Sequence, residues 1–314
     1  MRVDSKQQIK QAVQVSKLYY LDGVTQAEIG KKLNLSRPTI SRLLQFAREK
    51  NIVKISINDP LSNIEDLQHQ LKEKYQLKDV IISTPESNET AEILSSLGKA
   101  TARYLDKKVK DNDVIGVSWG RTLVSVARQL IPNDRKNVQV VYFFKGTVAN
   151  STHNNYVVEV TKCFNKCYHT QAQILPLPLI FENKQIKEMV IKDKFINEIL
   201  DTGKRTSVAL FTVETTEQDA TLFELGYFND QQIKTLQEKA AGDLVSRFID
   251  ERGKIVDDQL NDRTVAIALD DLKQARESVL IAGGMNKLKA IKAALAGKYA
   301  NVLVTDSLVA QHLL

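Results

Sequence analysis

The chain predicts a doubly wound α/β domain preceded by a small helical domain of the helix-turn-helix kind. Two observations carry this expectation. From Lys78 onward, short apolar runs alternate with amphipathic helices, and the first fifty residues hold a compact two-helix pattern rich in cations. A third observation separates the two parts. Residues 1–57 contain eleven Lys and Arg against four Asp and Glu, whereas the remaining 257 residues contain 33 against 34. The expected domains are therefore 1–57 and 58–314, with Asp59-Pro60 marking the break.

A first helix is expected from about Gln8 to Tyr20. Thr25 to Lys50, TQAEIGKKLNLSRPTISRLLQFAREK, then reads as two short helices joined by a turn at Asn34 and Leu35. Ala27, Ile29 and Leu33 supply apolar positions on the first, and Gly30 admits a close neighbour. Ser36 is placed as an N-cap, and Pro38 sits in the first turn, where a missing N–H costs nothing. Ile40, Leu43, Leu44 and Ala47 form a buried stripe at three- and four-residue spacing. Arg37, Thr39, Ser41, Arg42 and Gln45 are left outward. Hydroxyls and guanidinium groups on one helix face suit phosphates and base edges, so this helix is expected to enter the major groove of DNA. Thr25 and Gln26 are read as phosphate clamps. An ordinary helical hairpin with a solvated basic face would share the pattern. Charge decides between them, because the whole +6 excess of a chain of pI ≈ 9.0 lies in its first fifth.

Composition excludes other classes. With 43% hydrophobic and 26% charged residues the chain has material for a large core. No apolar run approaches a membrane span, and MRVDSKQQIKQ lacks the apolar region of a secretion signal. Two cysteines make no disulfide framework, which points to a reducing cytoplasm. Cys163 and Cys167 lie four apart near His153 and His169, but structural zinc shows tighter spacings and four clear ligands, so no metal is expected.

After Lys50, the alternation of Val53, Ile55 and Ile57 predicts one strand, and Ile64, Leu67, Leu71 and Tyr75 one face of a helix. Strands are then expected at 80–83, 114–118, 138–144, 174–178, 207–213, 264–269, 278–284 and 301–306. Runs that are apolar on both faces imply a parallel sheet covered on both sides, with ligands beyond the strands' carboxyl ends. Two junctions there have the chemistry of anion sites. Gly116-Val-Ser-Trp-Gly120-Arg-Thr122 offers close backbone approach at its glycines, hydroxyls of Ser118 and Thr122, the charge of Arg121 and the N–H groups of a helix start, with Trp119 beside them. Gly283-Gly284-Met-Asn-Lys287 repeats the arrangement. Neither is a dinucleotide fingerprint or a Walker loop, so no nucleotide cofactor is expected. A phosphorylated small ligand is.

The residues SRPTISRLLQFAREKNIV (36–53), GVSWGRT (116–122), AAGDLVSRFID (240–250), NDRT (261–264) and LIAGGMNKLKAIKAALAGKYANVLVTD (280–306) together resemble the SorC-type sugar-binding transcriptional regulators along nearly the whole chain. The resemblance implies a sugar-phosphate isomerase-like α/β effector domain, a homo-oligomer (dimer or tetramer) and operator DNA binding controlled by a phosphorylated sugar, deoxyribose 5-phosphate being favoured. It adds Asp243 of the third motif and Asn261 and Asp262 of the fourth to the expected effector residues. The alternative is a sugar-phosphate isomerase or lyase with a DNA-binding head. Asp219, Glu214, Asp243 and Asp262 are carboxylates near strand ends that could supply its base. The basic amino-terminal part has no use in a pure isomerase, which favours the regulator.

Lys145 and Gly146 follow the run 138–144 and belong at the same ligand edge. Among Tyr142, Phe143 and Phe144, desolvation would push the Lys145 ammonium toward a neutral, nucleophilic amine. Deoxyribose 5-phosphate has an open-chain aldehyde, so a reversible Schiff base on Lys145 is expected; a lysine that only hydrogen-bonds the sugar is the simpler reading.

Overall fold

The computed structural model describes residues 6–50, 52–53, 64–142, 153–218 and 220–314. The chain divides into two compact units, residues 1–61 and 62–314.

The first unit contains α1 (Lys6–Ser16), α2 (Gln26–Leu33) and α3 (Arg37–Glu49). Its core is small: Ala12, Val15, Ile29, Ile40, Leu43, Leu44 and Ala47 are buried together. The first helix is shorter than its periodicity predicts, because Lys17–Leu21 widens into a π turn. Asn34 closes α2 in the left-handed conformation at φ 52°. Gly30 is required there, since a Cβ would stand 2.9 Å from the carbonyl oxygen of Leu35. Ala27, expected inward, is exposed. Of the strand expected through Val53, Ile55 and Ile57, Val53 lies in a bend and the rest falls outside the described residues.

The second unit follows the order α4 (Ile64–Tyr75), β1 (Asp79–Ser83), α5 (Thr90–Lys108), β2 (Val114–Val117), α6 (Arg121–Arg128), β3 (Gln139–Tyr142), α7 (His153–Tyr168) and β4 (Gln173–Ile174). There follow α8 (Lys184–Val190), α9 (Lys194–Lys204), β5 (Val208–Phe211), β6 (Val213–Glu214), α10 (Thr221–Glu224), α11 (Asp230–Lys239), β7 (Gly242–Leu244) and β8 (Arg247–Ile249). The last elements are α12 (Asp258–Arg263), α13 (Leu269–Gln274), β9 (Glu277–Ile281), α14 (Leu288–Ala296), β10 (Val302–Asp306) and α15 (Ser307–Leu313).

Seven strands make one parallel sheet in the order β1-β10-β9-β5-β2-β3-β4. Its central strands are buried along their length: Val208–Phe211 and Val302–Val304 have no exposed surface. This is the two-sided burial that apolar runs without alternation imply.

The sheet departs from expectation in three places. The run 174–178 contributes only Gln173–Ile174, because Pro176 and Pro178 carry no N–H for a ladder. The run 264–269 is not a strand at all. Val265 and Ile267 turn inward, but the carbonyl of Ala266 accepts from Arg247 Nη2 at 3.2 Å rather than from a neighbouring strand. The run 207–213 divides: β5 ends at Phe211, and Val213–Glu214 joins a second, antiparallel sheet in the order β6-β7-β8. That sheet is formed by AAGDLVSRFID, whose hairpin turn Val245-Ser246 holds two non-glycine residues at φ 48° and 60°. Tight hairpins need this handedness, and a β-branched residue adopts it at a cost.

Candidate functional site

In the first unit, α3 presents Arg37, Ser41 and Arg42 as exposed side chains opposite buried Ile40, Leu43 and Leu44. Three of the hydroxyls expected on DNA, those of Thr25, Ser36 and Thr39, are engaged within the unit. Thr25 and Glu28 form a capping box, the Thr25 hydroxyl accepting from the Glu28 N–H and the Glu28 carboxylate accepting from Thr25. The Ser36 hydroxyl accepts from the Thr39 N–H and lies 2.8 Å from Thr39 Oγ1. Thr25, Ser36 and Thr39 therefore set helix starts, and Gln26 is half-buried in the first turn of α2. A helix start also presents backbone N–H groups, which is the chemistry that receives anions.

In the second unit a cavity of about 260 Å³ opens at the carboxyl ends of β2 and β5, beside the small sheet. The loop Ser118–Trp119–Gly120 and the start of α6 at Arg121 form one wall. Gly120 precedes the helix at φ 114°, a conformation open only to glycine there, with Glu214 Oε1 3.7 Å from where a Cβ would be. Thr212, Glu214, Glu224 and Asp243 line it too, with Tyr156, Thr221 and Val245.

Two of these carboxyls have different surroundings. Glu214 pairs with Lys287 Nζ at 2.8 Å. Asp243 is 4% exposed, and its Oδ1 has no partner among the described residues. Desolvation, and then the charge of Glu214, push it up to about 8, outweighing the Ser246 backbone N–H, Arg247 and Lys287. A carboxyl held neutral in this way donates a hydrogen bond, which suits a sugar oxygen.

The expected effector residues divide. Ser118, Trp119, Gly120, Arg121 and Asp243 line the cavity, and Lys287 reaches it through Glu214. Gly116 lies inside β2, paired with Val141 and Ala209, where it belongs to the sheet rather than to a ligand loop. Thr122 is buried in α6. The turn at Gly283 and Gly284 does not line the cavity. The Gly284 N–H donates to Asp306 Oδ2 at 2.7 Å, and that carboxylate occupies the position expected for a phosphate. Asn261 and Asp262 lie elsewhere: Asn261 Oδ1 accepts from Arg247 Nε at 2.7 Å, and exposed Asp262 pairs with Lys184 at 2.8 Å. Lys145, Gly146 and Asp219 fall outside the described residues. Tyr156, Thr212, Thr221, Glu224 and Val245 were not foreseen, because nothing in their local pattern marks them; only the fold gathers them. Cys167 donates to the Ile131 carbonyl, and among the described residues no His, Cys, Asp and Glu group suited to a metal is present.

A helix-turn-helix unit joined to a sheet with a polar cavity at its strand ends defines a ligand-responsive DNA-binding protein. The chain belongs to the SorC-type sugar-binding transcriptional regulators: residues 59–314 match the family described as "Putative sugar-binding domain", and residues 11–50 match sigma-70 region 4. It is 41% identical over 308 residues to the deoxyribonucleoside regulator of Bacillus subtilis (strain 168), covering 98% of this chain and 97% of that one. It is 30% identical to the sorbitol operon regulator of Klebsiella pneumoniae over 99% of this chain and all of that one. The crystal structure of full-length SorC from that organism matches with a TM-score of 0.74 over 97% and 98% of the two chains. Proteins of this family are transcriptional regulators, not enzymes, so the isomerase or lyase alternative falls. No helix among the described residues is long and apolar enough to cross a membrane.

Proposed function

We propose that the protein represses deoxyribonucleoside or sugar catabolism genes in the cytoplasm, as a homo-oligomer whose operator binding is controlled by a phosphorylated sugar, deoxyribose 5-phosphate being favoured. One observation carries this reading: a single cavity at the strand ends of the second unit is lined both by the start of α6 with Arg121 and by the carboxyls of Glu214, Glu224 and Asp243. An anion is stabilised by helix-start N–H groups and a guanidinium. Sugar hydroxyls match the paired Glu214 and the neutral Asp243. The name of the Bacillus relative points to the same class of genes.

The phosphate sits against Ser118, Gly120 and Arg121, away from Asp306. Lys145 adds to the open-chain aldehyde of the sugar, expelling water to leave an imine. Calorimetry with deoxyribose 5-phosphate and deoxyribose tests the site. We expect the phosphorylated sugar to bind far more tightly and Trp119 fluorescence to change; equal affinities would remove the phosphate from this cavity. Borohydride reduction followed by peptide mass spectrometry tests the imine, and an unmodified Lys145 would reject it. Gel shifts with operator DNA, with and without the sugar phosphate, read the control itself.

A further inference from the structure

A second cavity, of about 350 Å³, lies between β3, α9 and the segment 264–268. The β7–β8 hairpin separates it from the first: Asp243 lines one cavity and Arg247 the other. Its walls are mostly aliphatic, with Ile199, Leu200 and Val265 among them.

Two polar groups in these walls are buried without a hydrogen-bond partner among the described residues, Arg247 Nη1 and Tyr142 Oη. Arg247 is 7% exposed and Tyr142 1%. Buried donors of this kind are rare and each costs stability unless something accepts from it. Arg247 is held in place rather than idle. Its Nε donates to Asn261 and its Nη2 to the Ala266 carbonyl, which leaves Nη1 over. Lys187 lines the same cavity, and its Nζ donates to the Asp262 carbonyl at 2.8 Å, with further protons to give. The NDRT segment thus fixes both cations. Burial, and then the charge of Arg247, lower the basicity of Lys187, so the two cations face each other without full compensation. Lys204, also in the wall, is paired with Asp201 at 2.9 Å. Asp271 is the carboxylate of the wall; Asp243 and then Asp271 oppose the charge of Arg247, and Asp262 opposes that of Lys187.

We propose that this cavity is a second binding site, for a small monocarboxylate with a compact apolar body, whose carboxylate accepts hydrogen bonds from Arg247, Lys187 and Tyr142. A carboxylate is planar and small enough to accept from several of these donors at once, and it supplies the acceptor that Arg247 Nη1 and Tyr142 Oη lack. An aliphatic wall with a few fixed polar groups is the ordinary build of a small-molecule site.

Benzoate and neutral benzamide are suitable probes of the full-length protein by calorimetry. Benzoate is expected to bind in the millimolar range or tighter, and benzamide about tenfold more weakly or worse. Tyr142→Phe removes only an unpartnered hydroxyl, so its thermal midpoint should equal or exceed the wild type while benzoate affinity falls. Lys187→Gln should also weaken benzoate, and Ala266→Leu, which fills the cavity, should abolish it. Lys287→Ala, in the other cavity, should leave it unchanged. Equal affinity for benzoate and benzamide, no benzoate binding by the wild type, or loss on Lys287→Ala without loss on Ala266→Leu would each overturn the assignment.

Discussion

Asp243 is buried against Glu214 with one oxygen unpaired, so its folded state favours the protonated form up to a pH of about 8, against an ordinary value of 3.8. Between those values the folded chain binds more protons than the unfolded chain. The stability gained from the neutral carboxyl is complete below the unfolded value and is lost as pH rises through the folded one. Wild-type protein without ligand should therefore lose stability between pH 5 and 8, by roughly a few kcal/mol. Asp243→Asn should be flat over this window and more stable than the wild type at its upper end, while its sugar phosphate response collapses. Urea denaturation at stepped pH reads the first effect. Parallel stability profiles for the two proteins would show that Asp243 is ionised in the fold.

Helix α3 joins two separable tasks, and substitutions should separate them. Arg37 and Arg42 are exposed on the face opposite the core. Arg37→Ala and Arg42→Ala should each weaken specific operator binding by about 1–3 kcal/mol while folding is unchanged. Ser36 caps the helix, so Ser36→Ala should instead destabilise the unit by about 1 kcal/mol. Gel shifts combined with thermal melts distinguish the two, and undiminished operator affinity in both arginine variants would remove α3 from the groove. The β7–β8 hairpin makes a similar test. Ser246 is strained at φ 60°, and its hydroxyl is buried without a partner among the described residues. Ser246→Gly should raise stability by about 1 kcal/mol, since glycine adopts that conformation freely. A fall in the melting temperature would mean that the hydroxyl has a role in the hairpin.

For the whole chain, the uneven charge sets how salt acts. The basic excess lies in residues 1–57 and the rest is nearly balanced. Operator affinity should fall steeply and log-linearly with salt, through release of counterions from the phosphates. Affinity for deoxyribose 5-phosphate should respond far less, because one small ligand engages far fewer charges than the phosphates of an operator. Fluorescence anisotropy across a salt series measures the first and calorimetry the second. An operator affinity indifferent to salt would contradict the basic unit's role.

The helix-turn-helix was legible residue by residue, because caps, turn and stripe at Ser36, Asn34 and Ile40–Ala47 are local chemistry with a fixed period. The parallel sheet was legible for a related reason: strands buried on both faces are apolar along their centres, as at 208–211 and 302–304. The Gly120 wall of the cavity at the strand ends could be read from a glycine placed just before a helix. What only the tertiary structure decided is the company each group keeps. Asp306 takes the backbone N–H of Gly284 that sequence reserves for a phosphate, and Asn261 turns from the sugar to orient Arg247. Asp243 becomes a neutral donor because Glu214, 29 positions earlier, is paired across from it in the small sheet. Secondary structure follows from neighbours along the chain; protonation, orphaned donors and cavity walls follow from neighbours in space, to which a local pattern is blind.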